Sequence, residues 1–367
     1  MPKRRKLITK MRVALVHDSF TQLGGAERVV DVLHEMFPEA PVYTLVFDKK
    51  LASKYQAWDI RVTWLQKFYY LIPKLQYWFF LIPWAVSSIK IRDADVVISS
   101  SSGFVKNIRV PKGSIHINYC HTPARFLWID KDYVNQEVPF LLRPLVKVFL
   151  GWMKKWDLKG SQSVSRFIAN SKEVQKRIAD VYHRESEVIY PPINAEFWRP
   201  TTPKSDYFLV AGRLQAHKRI DLIIEIFNDL KIPLHVVGTG RQEAYLKSIA
   251  KPNITFLGRV SDEQLRDEYS GAKAFIYPQV EDFGLMPLEA AACGTPTLAY
   301  AQGGALETVV PGVTGELFED YDKEKIKNII SHWIVEKFKL SDLQAHSRKF
   351  NAINFKKSIL DILELHV

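Results

Sequence analysis

The sequence has little cysteine. Only two of its 367 residues are cysteines, Cys120 and Cys293, which lie far apart and each inside an apolar stretch. They form neither a Cys-x-x-Cys pair nor a Cys/His cluster of the kind that holds a structural zinc ion. A disulfide-stabilised secreted domain is equally unsupported. We therefore expect two reduced core thiols in a cytosolic protein.

The sequence also lacks an apolar run that could span a bilayer. The nearest candidate is the segment 61–92, whose longest uncharged apolar piece, Tyr77 to Val86, is about half of the ~20 residues that a spanning helix needs. Pro73 and Pro83 are expected to break it. The segment has no acidic residue, but five bases lie among its bulky aromatics. This composition is typical of a helical pair at the level of lipid headgroups, or of a groove for an amphiphilic substrate; an aromatic-rich helix pair buried in the core is the alternative.

Acidic residues are scarce in the first half of the chain. Residues 1–198 carry 30 Lys and Arg against 18 Asp and Glu, a net charge of +12, whereas the remainder has a net charge of −1. A basic half indicates an anionic partner such as a membrane surface, nucleic acid or a polyphosphate, although the same charge would also serve solubility. Residues 1–10 are predicted to be a basic N-terminal extension, and the apolar run after them is too short for a secretory signal.

What the sequence does contain is a regular alternation of short apolar runs with helical patterns, which is typical of parallel α/β sheets. The Pro-rich stretch 191–206 interrupts this alternation and is predicted to link two domains. We assign residues 11–198 to an N-terminal domain, 199–350 to a C-terminal domain, and 351–367 to a C-terminal helix that packs back on the first domain. Strands are predicted at 12–17, 41–47, 96–100, 114–120, 166–169, 187–190, 207–211, 234–237, 254–257, 274–278 and 297–299.

Three motifs follow predicted strands and carry chemistry. Gly24 and Gly25 open a helix, where the backbone can approach an anion closely, although their spacing is not that of a dinucleotide fingerprint. Arg213 and Lys218 lie on one strand-to-helix loop, able to converge on a diphosphate. Each of these two motifs alone is also compatible with an ordinary turn or with solvated charges.

The third motif, Glu281-Asp282-Phe283-Gly284-Leu285-Met286-Pro287-Leu288-Glu289, is the strongest. A strand end, a glycine turn and a helix start follow one another, and Pro287 fits a first helical turn. Backbone amides around Phe283, Gly284 and Leu285 would face an anion, and the carboxylates of Glu281 and Glu289 would accept hydrogen bonds from sugar hydroxyls. Gly303-Gly304-x-x-Glu307 repeats the strand–glycine–helix order nearby.

These motifs resemble the retaining glycosyltransferases of family four. EDFGLMPLEAAACGTP is similar to their Glu-x7-Glu signature, GRLQAHKR to their diphosphate element and LGGAE to their N-terminal glycine loop. YCHTPARFLW is similar to the segment that bears a donor-site histidine, and FIANSKEVQKRIADVY to the stretch before the linker. The resemblance covers essentially the whole chain after residue 10, and bacterial mannosyltransferase-like enzymes of O-antigen and exopolysaccharide synthesis are the most similar subgroup.

The resemblance implies a GT-B fold, in which two Rossmann-like doubly wound parallel-sheet domains face each other across a cleft. It implies that the N-terminal domain, 11–198, binds the acceptor and that the C-terminal domain, 199–350, binds the nucleotide sugar. It implies that Arg213 and Lys218 hold the donor diphosphate, that Gly24 and Gly25 approach the same phosphates, and that Glu281 with the amides of Phe283, Gly284 and Leu285 holds the transferred sugar. The resemblance also implies that Glu289 binds the ribose and that His121 contacts the sugar near the acceptor. A buried structural histidine would look the same in sequence.

The resemblance further implies front-face transfer with retention, and no nucleophile–base pair is visible. Cations and amides aimed at the leaving diphosphate would stabilise the transition state. We expect no cofactor and no metal, since Asp93-Ala94-Asp95 and Asp320-Tyr321-Asp322 match a metal motif only formally. The expected donor is GDP-mannose or a UDP-sugar, and the expected acceptor is a glycan or a polyprenyl-diphosphate-linked sugar.

We expect a cytoplasmic enzyme, peripheral at the inner face of the cell membrane, that binds anionic lipid but no nucleic acid. Two alternatives remain open from the sequence. One is a sugar-nucleotide epimerase on a similar scaffold, which needs no acceptor. The other is a non-enzymatic basic adaptor for membrane or nucleic acid, under which the Arg–Lys–Glu–Glu set has no purpose.

Overall fold

The computed structural model describes residues 11–130, 134 and 138–365. The described chain forms two compact units. Unit 1 runs to Pro192 and takes in the chain again from Phe355, and unit 2 is Ile193–Asn354. The division therefore falls a little before the 198/199 boundary expected from the sequence. The predicted basic extension, residues 1–10, lies outside the described residues.

Unit 1 is built on a parallel sheet of seven described strands in the order β3-β2-β1-β4-β5-β6-β7. The inner strands are buried on both faces, which is why they appear in the sequence as short, continuous apolar runs. The strands are β1 Val13–His17, β2 Val42–Thr44, β3 Ile60–Val62, β4 Val96–Ser101, β5 Ile115–Cys120, β6 Arg166–Ala169 and β7 Ser186–Val188.

The helices of unit 1 connect these strands and cover the sheet. They are α1 Gly25–Met36, α2 Leu65–Leu71, α3 Ile82–Ser88, α4 Arg125–Trp128, α5 Arg143–Ser161 and α6 Lys172–Tyr182. The last helix of the chain, α14 Ala352–Glu364, also contributes to this unit from Phe355 onwards. Its Phe355 and Ile359 are buried in one cluster with Val13 and Leu15 of β1, and the Phe355 ring lies 5.7 Å from that of Tyr119.

Unit 2 is built on a parallel sheet of six described strands in the order β10-β9-β8-β11-β12-β13. The strands are β8 Phe208–Ala211, β9 Leu234–Val237, β10 Ile254–Gly258, β11 Phe275–Tyr277, β12 Thr297–Tyr300 and β13 Gly315–Phe318. The helices are α7 Ile220–Leu230, α8 Glu243–Ile249, α9 Asp262–Gly271, α10 Leu285–Ala292, α11 Ala305–Thr308, α12 Lys323–Ser331 and α13 Leu340–Arg348. The core of this unit lies mainly between the sheet and α7, α8 and α12.

Two strands and one long helix illustrate what the sequence-based assignment missed. β3 is a three-residue edge strand whose residues are half-buried or exposed, and β13 is the other unit's edge strand, so neither has the buried apolar run that identified the rest. The 19-residue helix α5 carries apolar residues on its solvent side as well as on its buried side, which obscures its periodicity.

The segment 61–92 has the predicted pair of helices, but not with the expected breaks. α2 ends before Pro73, and a 3₁₀ helix at Leu75–Leu81 leads directly into α3. Pro83 does not break the helix. It lies in the first turn of α3, where a missing backbone N–H costs nothing. Cys120 and Cys293 are free, buried thiols, as expected.

Candidate functional site

In each unit the predicted site residues lie where the strand order changes direction. In unit 1 the chain proceeds from β1 outward to β3 and then returns to place β4 on the other side of β1. In unit 2 the same change occurs between β8 and β11. Ligands of doubly wound sheets bind beyond the carboxyl ends of the strands at this point, because neighbouring loops diverge there and leave a crevice.

The loop after β8 carries Arg213 and Lys218. Its course is fixed by backbone hydrogen bonds to the loop after β9: the amide of Leu214 donates to the carbonyl of Thr239 at 3.0 Å, and the amide of Gln242 donates to the carbonyl of Leu214 at 3.0 Å. The Arg213 side chain is exposed and, within the described residues, makes no ion pair. Arg219, the third base of this loop, is already engaged, because its guanidinium carbon lies 4.3 Å from the ring centroid of Tyr321.

The loop after β11 turns at Gly284 into α10. Gly284 has φ +87°, and a Cβ atom there would lie 2.9 Å from the hydroxyl oxygen of Tyr277. Only glycine fits without strain, since a side chain would meet both the unfavourable backbone region and this buried ring. The turn directs the first amides of α10 away from the helix body, and such amides favour an anion.

The two loops of unit 2 meet through an ion pair. The ammonium of Lys218 contacts the Oε1 atom of Glu281, with side chains 13% and 30% exposed, respectively. The sequence predicted that both residues serve one ligand but did not predict this contact. The pair keeps the cation beside the glycine turn, where a diphosphate that binds Lys218 would compete with the carboxylate.

The loop that follows β12 packs against the turn that carries Glu281. The amide of Gly304 donates to the carbonyl of Glu281 at 2.9 Å, and a Cβ atom on Gly304 would collide with the carbonyl oxygen of Phe283. The Gly303-Gly304 pair, which the sequence singled out only as a repeated pattern, therefore lets two backbones pack directly. α11 begins immediately after it.

Glu289 lies on α10 and is buried, with 3% of its surface exposed. Burial, and secondarily the charge of Glu289, raises the pKa of the Cys293 thiol to about 12. Burial also raises the pKa of Tyr277, on which the carboxylates of Asp282 and Glu289 act in the same direction. Both groups therefore stay protonated at neutral pH, so Cys293 is not a thiolate nucleophile.

In unit 1 the ends of β1, β4 and β5 bring together two histidines and a serine. Nε2 of His121 lies 2.8 Å from Oγ of Ser100, and Nδ1 of His17 lies 3.2 Å from the same Oγ. Which group donates depends on the histidine tautomers. His17 lies opposite Ser100 in the β1–β4 register, so Ser100 joins the last residues of neighbouring strands.

His121 is 8% exposed, and burial lowers its pKa to about 3, with the nearby His17 acting in the same direction. The imidazole is therefore neutral at physiological pH. A neutral ring bonded to Ser100 can exchange hydrogen bonds with a ligand hydroxyl, but it cannot supply a positive charge.

The glycine loop of unit 1 is closed by Glu27. The amide of Gly24 donates to Oε2 of Glu27 at 2.9 Å, while Oε1 of the same carboxylate lies 3.7 Å from Nε2 of His17. The Gly24 amide is thus already used within the protein. Of the predicted pair, Gly25 is the residue that begins α1.

Asp18 fixes the loop that follows β4. Its carboxylate accepts the amides of Ser102 at 2.6 Å and of Phe104 and Val105 at 3.1 Å each. Lys106 connects this segment to α5, because its buried ammonium contacts the carboxylate of Asp157.

Asp157 is fully buried and accepts further hydrogen bonds from Trp128 at 2.8 Å and Tyr182 at 3.0 Å. A buried charge needs such partners, since its desolvation is costly. This cluster was not predicted from the sequence. A lone Lys and a lone Asp 51 positions apart give no local signal.

The two formal D-x-D motifs have protein partners. Arg12 bridges Asp93 and Asp95 at the start of β4. Asp320 pairs with Lys325 at 2.6 Å, and Asp322 caps α12 by accepting the amides of Glu324 and Lys325.

Comparison with known proteins connects this geometry to a family. A family model described as "Glycosyltransferase Family 4" matches residues 23–197, and one described as "Glycosyl transferases group 1" matches residues 194–350. Together they include each predicted site residue.

The chain belongs to glycosyltransferase family 4. It is a GT-B glycosyltransferase, as the resemblance implied.

Two mannosyltransferases are among its relatives. The "O-antigen chain mannosyltransferase RfbU" of Salmonella typhimurium is 30% identical over 200 residues, which cover 50% of this chain and 55% of the relative. A "GDP-mannose-dependent monoacylated alpha-(1-6)-phosphatidylinositol monomannoside mannosyltransferase" of Corynebacterium glutamicum is 36% identical over 108 residues, covering 26% and 28%. The glycosyltransferase thus spans only about a quarter to a half of the length of these curated relatives.

Solved structures agree on the fold of the glycosyltransferase. Anabaena Alr3699/HepE in complex with UDP superposes with a TM-score of 0.69 at 17% identity, covering 96% of this chain and 99% of that one. WaaG, a glycosyltransferase involved in lipopolysaccharide biosynthesis, gives 0.65 at 15% identity, covering 95% and 99%. Among the described residues of the glycosyltransferase, none of the helices has the length and apolar character required to cross a bilayer.

Proposed function

We propose that this glycosyltransferase moves a hexose, mannose from GDP-mannose in the first instance, from a nucleotide sugar to a glycan or lipid-linked acceptor during the synthesis of a cell-surface polysaccharide. In this proposal Arg213 and Lys218 bind the donor diphosphate, and Glu281 with the amides of Phe283, Gly284 and Leu285 binds the sugar. Glu289 binds the ribose, and Gly24, Gly25 and His121 act from unit 1.

The contact between Lys218 and Glu281 carries the proposal. A cation suited to a phosphate and a carboxylate suited to sugar hydroxyls lie side by side at the point where the strand order reverses. A sugar–phosphate joins a charged part directly to a hydroxylated part, so a neighbouring cation and carboxylate suit the two parts once the ligand has displaced the contact between them. The exposed guanidinium of Arg213, on the same loop as Lys218, supplies a second cation for the diphosphate.

These groups support a reaction in which the bond between the anomeric carbon and the phosphate oxygen breaks. Negative charge then grows on the leaving diphosphate, and the two cations and the helix amides stabilise it. The acceptor hydroxyl attacks the anomeric carbon and passes its proton to an oxygen of the leaving diphosphate, and retention of configuration would follow from attack on the face that the diphosphate leaves. His121 is neutral at physiological pH, so it would orient a hydroxyl group and would not carry a charge.

Mannose is supported by the names of both mannosyltransferase relatives and GDP by the name of the Corynebacterium glutamicum relative alone, and both align over only part of their length. UDP-sugars remain the other candidates, because one structural relative, Anabaena Alr3699/HepE, is described in complex with UDP and with UDP-glucose. A thermal-unfolding panel of nucleotide sugars separates the two. A donor at ~100 times its Kd should add about 2.7 kcal/mol to the stability of the folded protein.

Transfer itself is tested with GDP-mannose and a lipid-linked acceptor, with GDP release and product mass as readouts. The double variant Arg213→Ala/Lys218→Ala should lose at least about a thousandfold in kcat/KM, since each cation contributes roughly 2–3 kcal/mol to a buried phosphate. The matched control, Lys337→Ala/Arg348→Ala, removes two exposed bases of the same unit outside the site. Turnover in the double variant equal to that in this control would end the proposal.

Reactions without acceptor, and with each acceptor class, complete the test. An epimerase would convert UDP-GlcNAc with no acceptor present, whereas the glycosyltransferase should leave the sugar unchanged. The anomeric configuration of the product, measured by NMR, should match that of the donor.

We also place the enzyme at the inner face of the cell membrane as a peripheral protein. The support is the net charge of +12 in residues 1–198 and the absence of acidic residues from 61–92. Absence of the enzyme from the membrane fraction of gently lysed cells at low ionic strength would contradict this placement.

A further inference from the structure

Helix α5 has two opposite faces, and its outer face is apolar. Leu150, Met153 and Asp157 point into the protein. Leu145, Val148 and Trp152, at spacings of three and four residues, lie on the other side and are 69%, 74% and 44% exposed. Leu141, in the 3₁₀ turn before the helix, is 86% exposed. A soluble helix normally has polar residues on this side.

This outer face is continuous with the aromatic segment that precedes β4. The rings of Trp84 and Trp152 stack at 5.6 Å, and those of Phe79 and Phe149 lie 5.7 Å apart. Exposed side chains of residues 70–84 thus lie next to those of α5. We call the combined surface, formed by residues 64–84 and 140–155, the basic–aromatic face.

The charge of this face has one sign. Residues 140–156 contain Arg143, Lys147, Lys154 and Lys155 and no acidic residue, which matches the composition of residues 61–92. Lys147 and Lys155 are exposed. A protein partner would require a complementary acidic surface of matching shape, whereas an anionic bilayer offers negative headgroups above an apolar interior. Strongly exposed leucines on a helix that also carries exposed lysines and a tryptophan fit that order of layers.

We propose that the basic–aromatic face is a docking surface for an anionic lipid bilayer, in which Leu141, Leu145 and Val148 enter the headgroup–acyl boundary and the surrounding bases contact lipid phosphates. The proposal specifies the membrane partner of the proposed function and rests on it for its biological purpose. It adds α5, which was not predicted from the sequence.

The helix α5 contacts the loop that follows β4 in the candidate site of unit 1. Asp157 of α5 holds Lys106, and Trp156 lies 5.7 Å from Phe104, in the loop whose amides Asp18 binds. A bilayer that binds α5 therefore fixes how this loop faces the membrane. An acceptor whose sugar sits at the loop and whose lipid remains in the bilayer would be presented without leaving the membrane.

The test is flotation of the full chain with phosphatidylcholine vesicles, with and without phosphatidylglycerol. Leu141→Ser/Leu145→Ser/Val148→Ser should weaken binding at least about tenfold, because each buried leucine is worth on the order of tenfold in partitioning. Lys147→Glu/Lys155→Glu should weaken it on the order of tenfold or more at low salt. All five side chains are exposed, so the variants should fold.

Two matched controls change the same residue classes in unit 2. Tyr245→Ser/Leu340→Ser/Ile353→Ser removes three exposed apolar side chains, and Lys337→Glu/Lys339→Glu reverses two exposed charges. Both controls should float like the unaltered protein. If the triple-serine variant of α5 also floats equally well, or if the unaltered protein ignores phosphatidylglycerol, the proposal is wrong. A stable dimer by light scattering that only the α5 variant dissociates would assign the face to a second copy instead.

Activity assays separate this proposal from the proposed function. With a water-soluble acceptor analogue, the α5 variants should release GDP as fast as the unaltered enzyme, and with a vesicle-embedded acceptor they should be slower by the same factor as their binding. Vesicle binding without transfer from any nucleotide sugar would refute the proposed function and leave the docking surface in place.

Discussion

Adding one methyl group at Gly284 should strongly destabilise the loop between β11 and α10, which carries Glu281. In Gly284→Ala the new Cβ would lie 2.9 Å from the hydroxyl oxygen of Tyr277, at φ +87°. The backbone conformation costs about 1–2 kcal/mol for a non-glycine residue. Crowding against a buried ring costs about 1–3 kcal/mol more. We therefore expect a loss of roughly 2–5 kcal/mol in the free energy of unfolding of unit 2.

The second background for this experiment is Tyr277→Phe. The remaining ring atoms lie 3.4 Å from the new Cβ, which is ordinary contact, so the crowding cost should disappear and the backbone cost should remain. In this background Gly284→Ala should cost only about 1–2 kcal/mol. Removal of the hydroxyl alone should cost on the order of 1 kcal/mol, because it is a buried hydrogen-bonding group.

Urea unfolding followed by circular dichroism, together with donor titration, measures the four proteins of this cycle. Gly284→Ala should also weaken donor binding, because the displaced turn carries Glu281 and the first amides of α10. Equal costs of the alanine in both backgrounds would refute the assignment of the strain to the Tyr277 contact. A cost below ~1 kcal/mol in either would refute the backbone argument as well.

Three further predictions concern charge. Asp157→Asn should destabilise unit 1 by about 3–5 kcal/mol in urea unfolding, because it leaves the Lys106 ammonium buried without its anion. The double variant Lys106→Met/Asp157→Leu should recover much of that loss. An equal loss of stability in the two variants would contradict the role of the unpaired charge. Burial lowers the pKa of His121 to about 3 in the folded protein, whereas the unfolded chain binds the proton near pH ~6.5. The free energy of unfolding should therefore fall as the pH drops from ~6.5 towards 3 and should not depend on this group above ~6.5. A His121→Asn variant with the same pH dependence over this range would show that other groups cause the fall. Glycosyl transfer should be unchanged by EDTA, measured as GDP release, and loss that Mg²⁺ or Mn²⁺ restores would show that a metal takes part.

The course of the strands could be predicted because both sheets are parallel and buried. A strand covered on both faces consists of consecutive apolar residues, and glycine, proline or aspartate bounds it, as at β8 and β9. The edge strands β3 and β13 have no such pattern, because one side of each is partly solvated. Their existence follows from the neighbouring strand that they pair with, which is tertiary information.

The site could be predicted only where its residues are close in sequence. Glu281, Gly284 and Glu289 lie on one loop and its helix, so the spacing alone indicated their common purpose. Ser100 and Asp18 gave no such indication. Their roles depend on β1 and β4 being neighbours, and that pairing joins residues 83 positions apart. The Lys218–Glu281 contact similarly requires that β8 lie beside β11.

The return of α14 to unit 1 has a consequence for how the chain acquires its structure during synthesis. The four buried residues Phe355, Ile359, Ile362 and Leu363 contribute on the order of 6–12 kcal/mol of apolar burial, which is comparable to the whole stability of a domain. When residues 11–192 have been synthesised, the apolar patch that α14 covers is therefore still exposed, although α1 already packs on the same side of the sheet. Unit 2, which is continuous in sequence, can therefore fold before α14 has been synthesised and has packed on the sheet of unit 1.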